Sequence, residues 1–358
     1  HAAGVVVTDV PVVEYAPLHR PTGDVDGVPI KTVCQYEMSI VDDQGLLKVD
    51  FLGLSTLTVM QRCTDMIEQR HGKRFEIESI PIDDPETFAY LGQGNTAGVF
   101  QLEGGGMTRT LVQMQPKNLR NVIALISLYR PGPMQFIPDY IACMKGEKEP
   151  SYRHPDMEKR FAETYGIPVY QEQIMFAAMD LAGYSASESD GLRKAIAKKK
   201  IKKVEEHRIK FIEGCVNNGI EREVATAIFK DWEAFASYGF NKSHAADYAL
   251  VAVTTGYLKC HYTVEYMTAL LSVFQHNTDK VAFYVADCRD QGIDVLAPTI
   301  NKSGWDFTIE ETPEGKSVIR YGMGAIKNVG HGPAEAIVKA REKDGDFKDI
   351  TDFARRVD

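Results

Sequence analysis

The period of the apolar pattern changes at Gly53, and this change constrains the fold of the 358-residue chain more than any other feature. Before Gly53, short apolar or β-branched runs alternate with turns, which indicates strands. These runs cover residues 4–8, 31–36 and 46–51. From residue 54 to about residue 291, most segments have helical spacing. Two more strand-like runs, at 305–309 and 317–321, precede the last helices. We therefore predict a mostly helical α+β protein.

Composition narrows the class of protein. With 44% hydrophobic residues the chain can bury a large core, and its length predicts two or three domains. The six cysteines form no C-x-x-C pair, so the pattern indicates neither a zinc site nor a disulfide framework and favours a reducing cytoplasm. No apolar run approaches the roughly 20 residues of a membrane span, and no signal peptide opens the chain.

Positive charge is concentrated in residues 193–203, which carry seven cations and no acid although the net charge of the chain is -9. Ser185 and Glu188 have the spacing of a capping box, so a helix is expected to start near Ser185. The cations of this helix then lie close together. Arg193 and Lys200 share one side of it, and Lys194 and Lys198 lie beside them. An isolated lysine run is usually a solvated helix face. Here the setting favours a site for phosphate esters.

A second candidate anion site is the segment 238–244, YGFNKSH. Gly239 permits a sharp chain reversal, and Asn241 or Ser243 can cap the helix that follows, whose first amides then suit an anion. Lys242 and His244 would reinforce such a site. The alternative is a purely structural cap in which the aromatic residues anchor the core. His244 and Tyr248, one turn apart, either face a ligand or pair with each other.

Five motifs in a fixed order resemble the C-family polymerases, the alpha subunits of bacterial replicative DNA polymerase III. They are KVDFLGL at 48–54, VFQLE at 99–103, LYRPGP at 128–133, YGIPVYQEQIM at 165–175 and YGFNKSHAADYAL at 238–250. The resemblance implies three domains. Residues 1–56 would form the C-terminal part of a polymerase palm with the KVDFLGL strand, residues 57–290 the helical fingers, and residues 291–358 a small β-containing segment with a first helix-hairpin-helix.

The resemblance also implies catalytic residues. In this family three palm carboxylates bind two Mg²⁺ ions, and the third lies on the KVDFLGL strand, which makes Asp50 a metal ligand, with Lys48 beside it. The other two acids form an Asp-x-Asp pair upstream of this chain, so we expect an internal fragment that does not polymerise alone. Asp24-Val25-Asp26 also has the Asp-x-Asp pattern, but its position beside Pro21 and Gly23 favours a turn.

Near the C-terminal end, residues 322–333 followed by a helical pattern resemble a helix-hairpin-helix, whose backbone amides bind duplex phosphates without reading sequence. Gly330 and Gly332 would be the hairpin glycines and Lys327 a flanking cation. Arg130, before Pro131, reaches either a nucleic-acid phosphate or an internal acid, and the sequence does not choose between them.

Together these motifs predict a replicative, DNA-directed DNA polymerase. The nucleotide-binding candidates are Arg193, Lys194, Lys198, Lys200, Lys242, His244 and Tyr248. The expected partners are primer-template DNA and deoxynucleoside triphosphates and, from the resemblance, a sliding clamp, a proofreading exonuclease and a clamp loader. The alternative is a non-catalytic DNA-binding module. Other nucleotide-binding folds are disfavoured because the chain has no P-loop and no dinucleotide-binding glycine motif.

Overall fold

The computed structural model describes residues 4–20, 32–50, 53–197, 201–236 and 239–357. The chain divides into two compact units, His1–Leu57 and Thr58–Asp358. Its mostly helical α+β character confirms the fold class that the sequence predicts.

The first unit contains two antiparallel strand pairs and one short helix. Strand β1 (Gly4–Val7) pairs with β4 (Leu47–Asp50), and β2 (Leu18–His19) pairs with β3 (Val33–Cys34). Helix α1 (Met38–Asp43) precedes β4. The register places Val6 opposite Lys48 and Gly4 opposite Asp50. Side chains alternate along a strand, so Lys48 and Asp50 share one face, as predicted.

The second unit is built mainly from helices. The first of them, α2, has its first three residues in the first unit. In chain order they are α2 (Ser55–His71), α3 (Pro85–Gly92), α4 (Gly105–Met114), α5 (Leu119–Leu128), α6 (Ile137–Met144), α7 (Glu158–Phe161), α8 (Gln171–Ala182), α9 (Ala186–Ala197), α10 (Ile201–Asn217), α11 (Arg222–Ala236), α12 (Lys242–His261), α13 (Thr263–Val273), α14 (Thr278–Asp290), α15 (His331–Asp344) and α16 (Ile350–Arg356).

A three-stranded sheet lies between α14 and α15. Its strands are β5 (Val295–Leu296), β6 (Thr308–Glu311) and β7 (Ser317–Arg320), in the order β5-β7-β6 with β5 parallel and β6 antiparallel to β7. β6 begins three residues later than the predicted run at 305–309. Asp306 accounts for the difference, because its carboxylate accepts hydrogen bonds from Arg62 and Gln275 and holds this stretch out of the ladder.

Side chains cap the starts of α9 and α3, and the capping box of α9 was predicted from the sequence. At α9, the Ser185 amide donates to Glu188 at 2.9 Å and the Glu188 amide donates to Ser185 Oγ at 3.3 Å, which completes the capping box. At α3, Asp84 accepts a hydrogen bond from the Thr87 amide and Pro85 is the first helical residue. Leu192, Ala195 and Ile196 are buried and form the inner stripe of α9.

The core of the second unit consists of three apolar clusters. The first cluster packs α3, α4 and α5 against the first half of α12. The second packs α8, α9, α10 and α11 together, and the third packs α2, α13 and α14 against the sheet. α12 contributes Ala249 and Val253 to the first cluster and Leu258 to the third. It therefore connects two cores. Within the described residues, no helix combines the length and apolar character that crossing a bilayer requires.

Candidate functional site

A backbone bridge brings the start of α8 to the start of α12. The Gln171 amide donates to the Phe240 carbonyl at 2.9 Å, and the Phe240 amide donates to the Val169 carbonyl at 3.1 Å. Gln171 Nε2 also donates to the Gly239 carbonyl at 2.9 Å. A Cβ atom on Gly239 would lie 3.2 Å from Gln171 Cγ, so the close approach favours glycine there. We call this junction the Gln171–Phe240 bridge.

Arg193 lies beside this bridge and is held by two partners. Its Nε and Nη2 donate to Asp190 Oδ1 at 2.9 and 2.7 Å, and its Nη1 donates to Gln171 Oε1 at 3.4 Å. Lys194 Nζ pairs with the other Asp190 oxygen at 2.6 Å. One carboxylate therefore holds both cations, and hydrogen bonds from Lys194 and Arg193 lower the pKa of Asp190. The Arg193 and Lys194 side chains remain 31% and 61% exposed.

The start of α12 already holds a carboxylate. Asn241 is the cap, because its Oδ1 accepts a hydrogen bond from the His244 amide at 2.8 Å. Glu172 accepts one hydrogen bond from the Lys242 amide and one from Asn241 Nδ2, each at 3.0 Å. The sequence suggested that these first amides suit an anion, and that anion is internal here. Lys242 Nζ in turn binds both carboxylate oxygens of Glu163, at 2.7 and 2.8 Å.

Aromatic rings and a second arginine line the same junction. The ring of Phe240 lies 5.5 Å from His244, and His244 lies 4.3 Å from Tyr248, measured between centroids. The last two rings therefore contact each other, as one of the two sequence interpretations proposed. Arg130 Cζ lies 4.2 Å from the Phe240 centroid, within cation–π distance, and Arg130 Nε donates to the Ser127 carbonyl.

The structure thus assembles several sequence candidates around the Gln171–Phe240 bridge. They are Arg130, Arg193, Lys242, His244 and Tyr248, with Lys194 on the same carboxylate as Arg193. Lys198 and Lys200 lie outside the described residues.

A cavity of about 560 Å³ lies beside the Glu163–Lys242 pair. Three of its lining side chains are cations, Arg120, Lys159 and Arg160, and Arg160 Nε is paired with Asp180 at 2.6 Å. Sequence reasoning did not single out this cavity, because its walls come from separate segments on either side of residue 150.

Asp50 and Lys48 form an ion pair in the first unit. Lys48 Nζ lies 2.6 Å from Asp50 Oδ2, and the two side chains are 19% and 41% exposed. A carboxylate is a suitable ligand for a hard divalent cation. A two-metal site needs at least two acids, and β4 supplies Asp50 alone, so this strand offers one ligand of such a set.

The predicted hairpin residues lie at the start of α15. Gly330 caps the helix with extended backbone, Gly332 is in the first turn, and Lys327 is exposed in the loop before it. The preceding element is one turn of 3₁₀ helix, Met323–Ala325. Nothing lies within 4 Å of a Cβ atom built on Gly332, so the backbone there is open to an approaching ligand.

Sequence reasoning did not identify the acids that pair with Arg193, Lys194 and the Lys242 side chain, or the acid that accepts a hydrogen bond from the Lys242 amide. Asp190 could have been found, because it precedes Arg193 and Lys194 by three and four residues, the spacing of neighbours on a helix. Glu172 and Glu163 could not, because Glu172 is 70 and Glu163 is 79 residues from Lys242 in the chain.

Comparison with known protein families covers most of the chain. Residues 56–219 match the bacterial DNA polymerase III alpha subunit finger domain, residues 1–53 match the bacterial DNA polymerase III alpha NTPase domain, and residues 292–358 match a helix-hairpin-helix motif.

Curated relatives agree with these families. Over the whole chain, the sequence is 47% identical to DNA polymerase III subunit alpha of Thermus aquaticus, 41% identical to that of Borreliella burgdorferi and 42% identical to that of Caulobacter vibrioides. The chain spans 29%, 30% and 30% of the length of these three relatives.

Proposed function

Because this chain belongs to the family of bacterial DNA polymerase III alpha subunits, we propose that it is part of a DNA-directed DNA polymerase that acts in replication. The observation that carries the proposal is the match, in order, to two domain families of this subunit and to a helix-hairpin-helix motif. The cations gathered at the Gln171–Phe240 bridge support it. In this proposal residues 1–56 belong to the palm, residues 57–290 to the fingers, and residues 291–358 to a β-containing segment with a helix-hairpin-helix.

The incoming deoxynucleoside triphosphate is proposed to bind beside the bridge. Arg193 and Lys194 are exposed enough to exchange Asp190 for phosphate oxygens. The planar guanidinium of Arg193 can take two oxygens at once, whereas Lys194 acts as a point charge. Lys242, His244 and Tyr248 adjoin the same junction. Lys242 and His244 would reinforce the phosphate contacts, and Tyr248 would face the nucleotide. Lys198 and Lys200, outside the described residues, complete the proposed set.

Catalysis is proposed to depend on Asp50. Its carboxylate would hold one of two Mg²⁺ ions together with further acids, and the bound metal would stabilise the attacking and leaving oxygens. Lys48 holds Asp50 Oδ2 and so fixes the rotamer of the carboxylate before the ligands assemble. The fingers cations would then offset the charge that develops on the departing pyrophosphate.

The template and primer are proposed to bind through contacts to their phosphates. Gly330, Gly332 and Lys327 offer amides and a cation for duplex phosphates, and Arg130 offers a guanidinium beside the bridge. The match of residues 292–358 to a helix-hairpin-helix supports this assignment. A cytoplasmic location and binding to a sliding clamp, a proofreading exonuclease and a clamp loader are further parts of the proposal, which rest on family membership alone.

Substitution of Asp50 tests the catalytic role. In the full-length protein, Asp50→Asn should lower kcat by about 100-fold or more, because an amide is a poor ligand for a divalent cation. Affinity for primer-template DNA, measured by fluorescence anisotropy, should not change. Asp43→Asn, at the exposed end of α1 in the same unit, is the matched control. Full turnover in Asp50→Asn would contradict the assignment of Asp50 as a metal ligand.

Substitution of Arg193 tests the nucleotide site separately. Arg193→Gln should raise the KM for deoxynucleotides by about 10- to 100-fold, since a charge-assisted hydrogen bond contributes roughly 1.5–3 kcal/mol. Arg208→Gln is the control, because Arg208 is also a half-exposed arginine but is paired with Glu205 and Glu233 on neighbouring turns of α10 and α11. Equal KM values for Arg193→Gln and wild type, measured by steady-state primer extension, would refute this role.

A further inference from the structure

The start of α3 and the end of α12 bring together three different metal-ligating side chains. Glu86 lies in the first turn of α3, and Cys260 and His261 are the last two residues of α12. Their ligand atoms, a carboxylate oxygen, a thiol sulfur and an imidazole nitrogen, all lie within 4.8 Å of one another. The two helices pack against each other, so the cluster joins segments that are far apart in the chain.

Asp84 orients the imidazole of this cluster. Its Oδ2 lies 2.8 Å from His261 Nε2 and also accepts hydrogen bonds from the Thr87 amide and hydroxyl, at 2.8 and 2.6 Å. An ionised carboxylate only accepts, so Nε2 must carry the proton. The lone pair of the neutral ring is then on Nδ1. A carboxylate on the far nitrogen is the usual partner of a histidine that binds a metal.

The donor set selects a class of ion. A thiolate with an imidazole suits zinc and similar transition metals, whereas Mg²⁺ and Ca²⁺ prefer oxygen ligands alone. Three protein ligands leave a fourth position for water, as in zinc sites of open coordination. Tetrahedral zinc needs ligand atoms roughly 3.3–3.8 Å apart, from bond lengths of about 2.0–2.3 Å. Glu86 is exposed and has a long side chain, so rotation of its carboxylate can shorten its distances to the other two ligand atoms.

We propose that Glu86, Cys260 and His261 form a binding site for a divalent transition-metal ion, with zinc as the preferred ion and Asp84 as the group that orients His261. The bound ion ties the first turn of α3 to the last turn of α12. Because Lys242 and His244 stand at the other end of α12, the site stabilises the helix that presents them. The spacing of the six cysteines gave no sign of it, since only one of its ligands is a cysteine.

Cobalt substitution tests this site. Co²⁺ titrated into the metal-free full-length protein should give a thiolate-to-cobalt charge-transfer band, and Zn²⁺ should abolish it. Cys260→Ser should lose the band and bind Co²⁺ at least about tenfold more weakly. Cys143→Ser is the matched control, because Cys143 is also a half-buried free thiol, on α6, and it should keep both the band and the affinity.

A second measurement separates metal binding from an effect on folding. Zn²⁺ should raise the Tm of the wild type and of Cys143→Ser, and should not raise the Tm of Cys260→Ser or His261→Gln. In the absence of metal, the circular dichroism of Cys260→Ser should equal that of the wild type. The proposal is overturned if wild-type protein shows no thiolate band, or if Cys260→Ser keeps the band and the zinc-dependent rise in Tm.

Discussion

A surface cation can bind a ligand only if the ligand can replace the acid that the cation is paired with inside the protein. The candidate cations differ in how easily that replacement occurs. Arg193 and Lys194 share the exposed carboxylate of Asp190, within one helix. Lys242 holds Glu163, an acid from a separate segment, with two short hydrogen bonds. Exposed pairs within a helix contribute roughly 0.3–0.5 kcal/mol each, so the pairs in α9 open at little cost.

Asp190 is therefore expected to compete with the triphosphate. Asp190→Asn should lower the KM for deoxynucleotides by about two- to fivefold, because it removes an exposed ion pair that must open before phosphate binds. The measurement is steady-state primer extension at varied nucleotide concentration. Asp180→Asn, which removes the α8 partner of Arg160 on α7 and leaves Arg193 paired, should leave the KM unchanged. A raised KM in Asp190→Asn would mean that Asp190 positions the guanidinium productively and does not compete.

Individual contacts were predictable only where they are local in sequence. The capping box at Ser185, the cap at Asp84 and the contact of His244 with Tyr248 follow from spacings of three or four residues. The carboxylate of Glu172 at the start of α12 is supplied from 70 residues away. No spacing rule reaches that far, and the same applies to the cavity beside Glu163.

At the scale of elements, five of the seven strands in the described residues and the starts of α9 and α12 were predicted to within a few residues, because turns and caps are short-range signals. The short strands β2 and β5 were not predicted. The first residue of a strand can also depend on tertiary contacts, which the sequence does not show. β6 starts late because Asp306 is held by side chains of α2 and the segment after α13. The hairpin before α15 follows a single 3₁₀ turn. Its glycines lie at the start of α15, as the sequence pattern predicted.

The hairpin gives an element-scale prediction that separates binding from folding. Gly332→Leu should weaken affinity for duplex DNA by about tenfold, because a side chain there blocks the close approach of a phosphate to the amides of the first turn. It should not lower the Tm, since a side chain meets no atom within 4 Å at its Cβ. Gly105→Leu, in the first turn of α4, is the control. Unchanged DNA affinity in an anisotropy titration would remove the hairpin from the interface.

At the scale of the whole molecule, α12 connects two cores of the second unit and carries a buried charge between them. Lys259 is fully buried, donates to the Ala97 carbonyl at 2.9 Å and pairs with Asp287 of α14 at 2.8 Å. Burial lowers its pKa and the Asp287 carboxylate opposes that shift. The composition of α12 predicted a helix, but the sequence did not show which of its lysines is internal.

Removal of the Asp287 charge should destabilise the fold. Asp287→Asn is expected to lower the free energy of unfolding by about 3 kcal/mol, because Lys259 would remain buried without a counter-charge. Urea denaturation followed by circular dichroism measures the change. Asp290→Asn, at the exposed end of the same helix, should change stability by less than about 0.5 kcal/mol. The double variant Lys259→Met with Asp287→Leu should recover much of the loss, and its failure to do so would argue against an unpaired charge as the cause.

The Gln171–Phe240 bridge also limits how the molecule can adapt. Its two hydrogen bonds join backbone amides to backbone carbonyls, and peptide groups have no side-chain rotamers to change. Movement of the first turn of α8 is therefore coupled to movement of the first turn of α12. In the proposed nucleotide site, all four nucleobases would bind beside this same rigid junction. The flexible side chains around it would then accommodate the differences among the bases, and a backbone frame that does not depend on the base suits the proposed copying of any template.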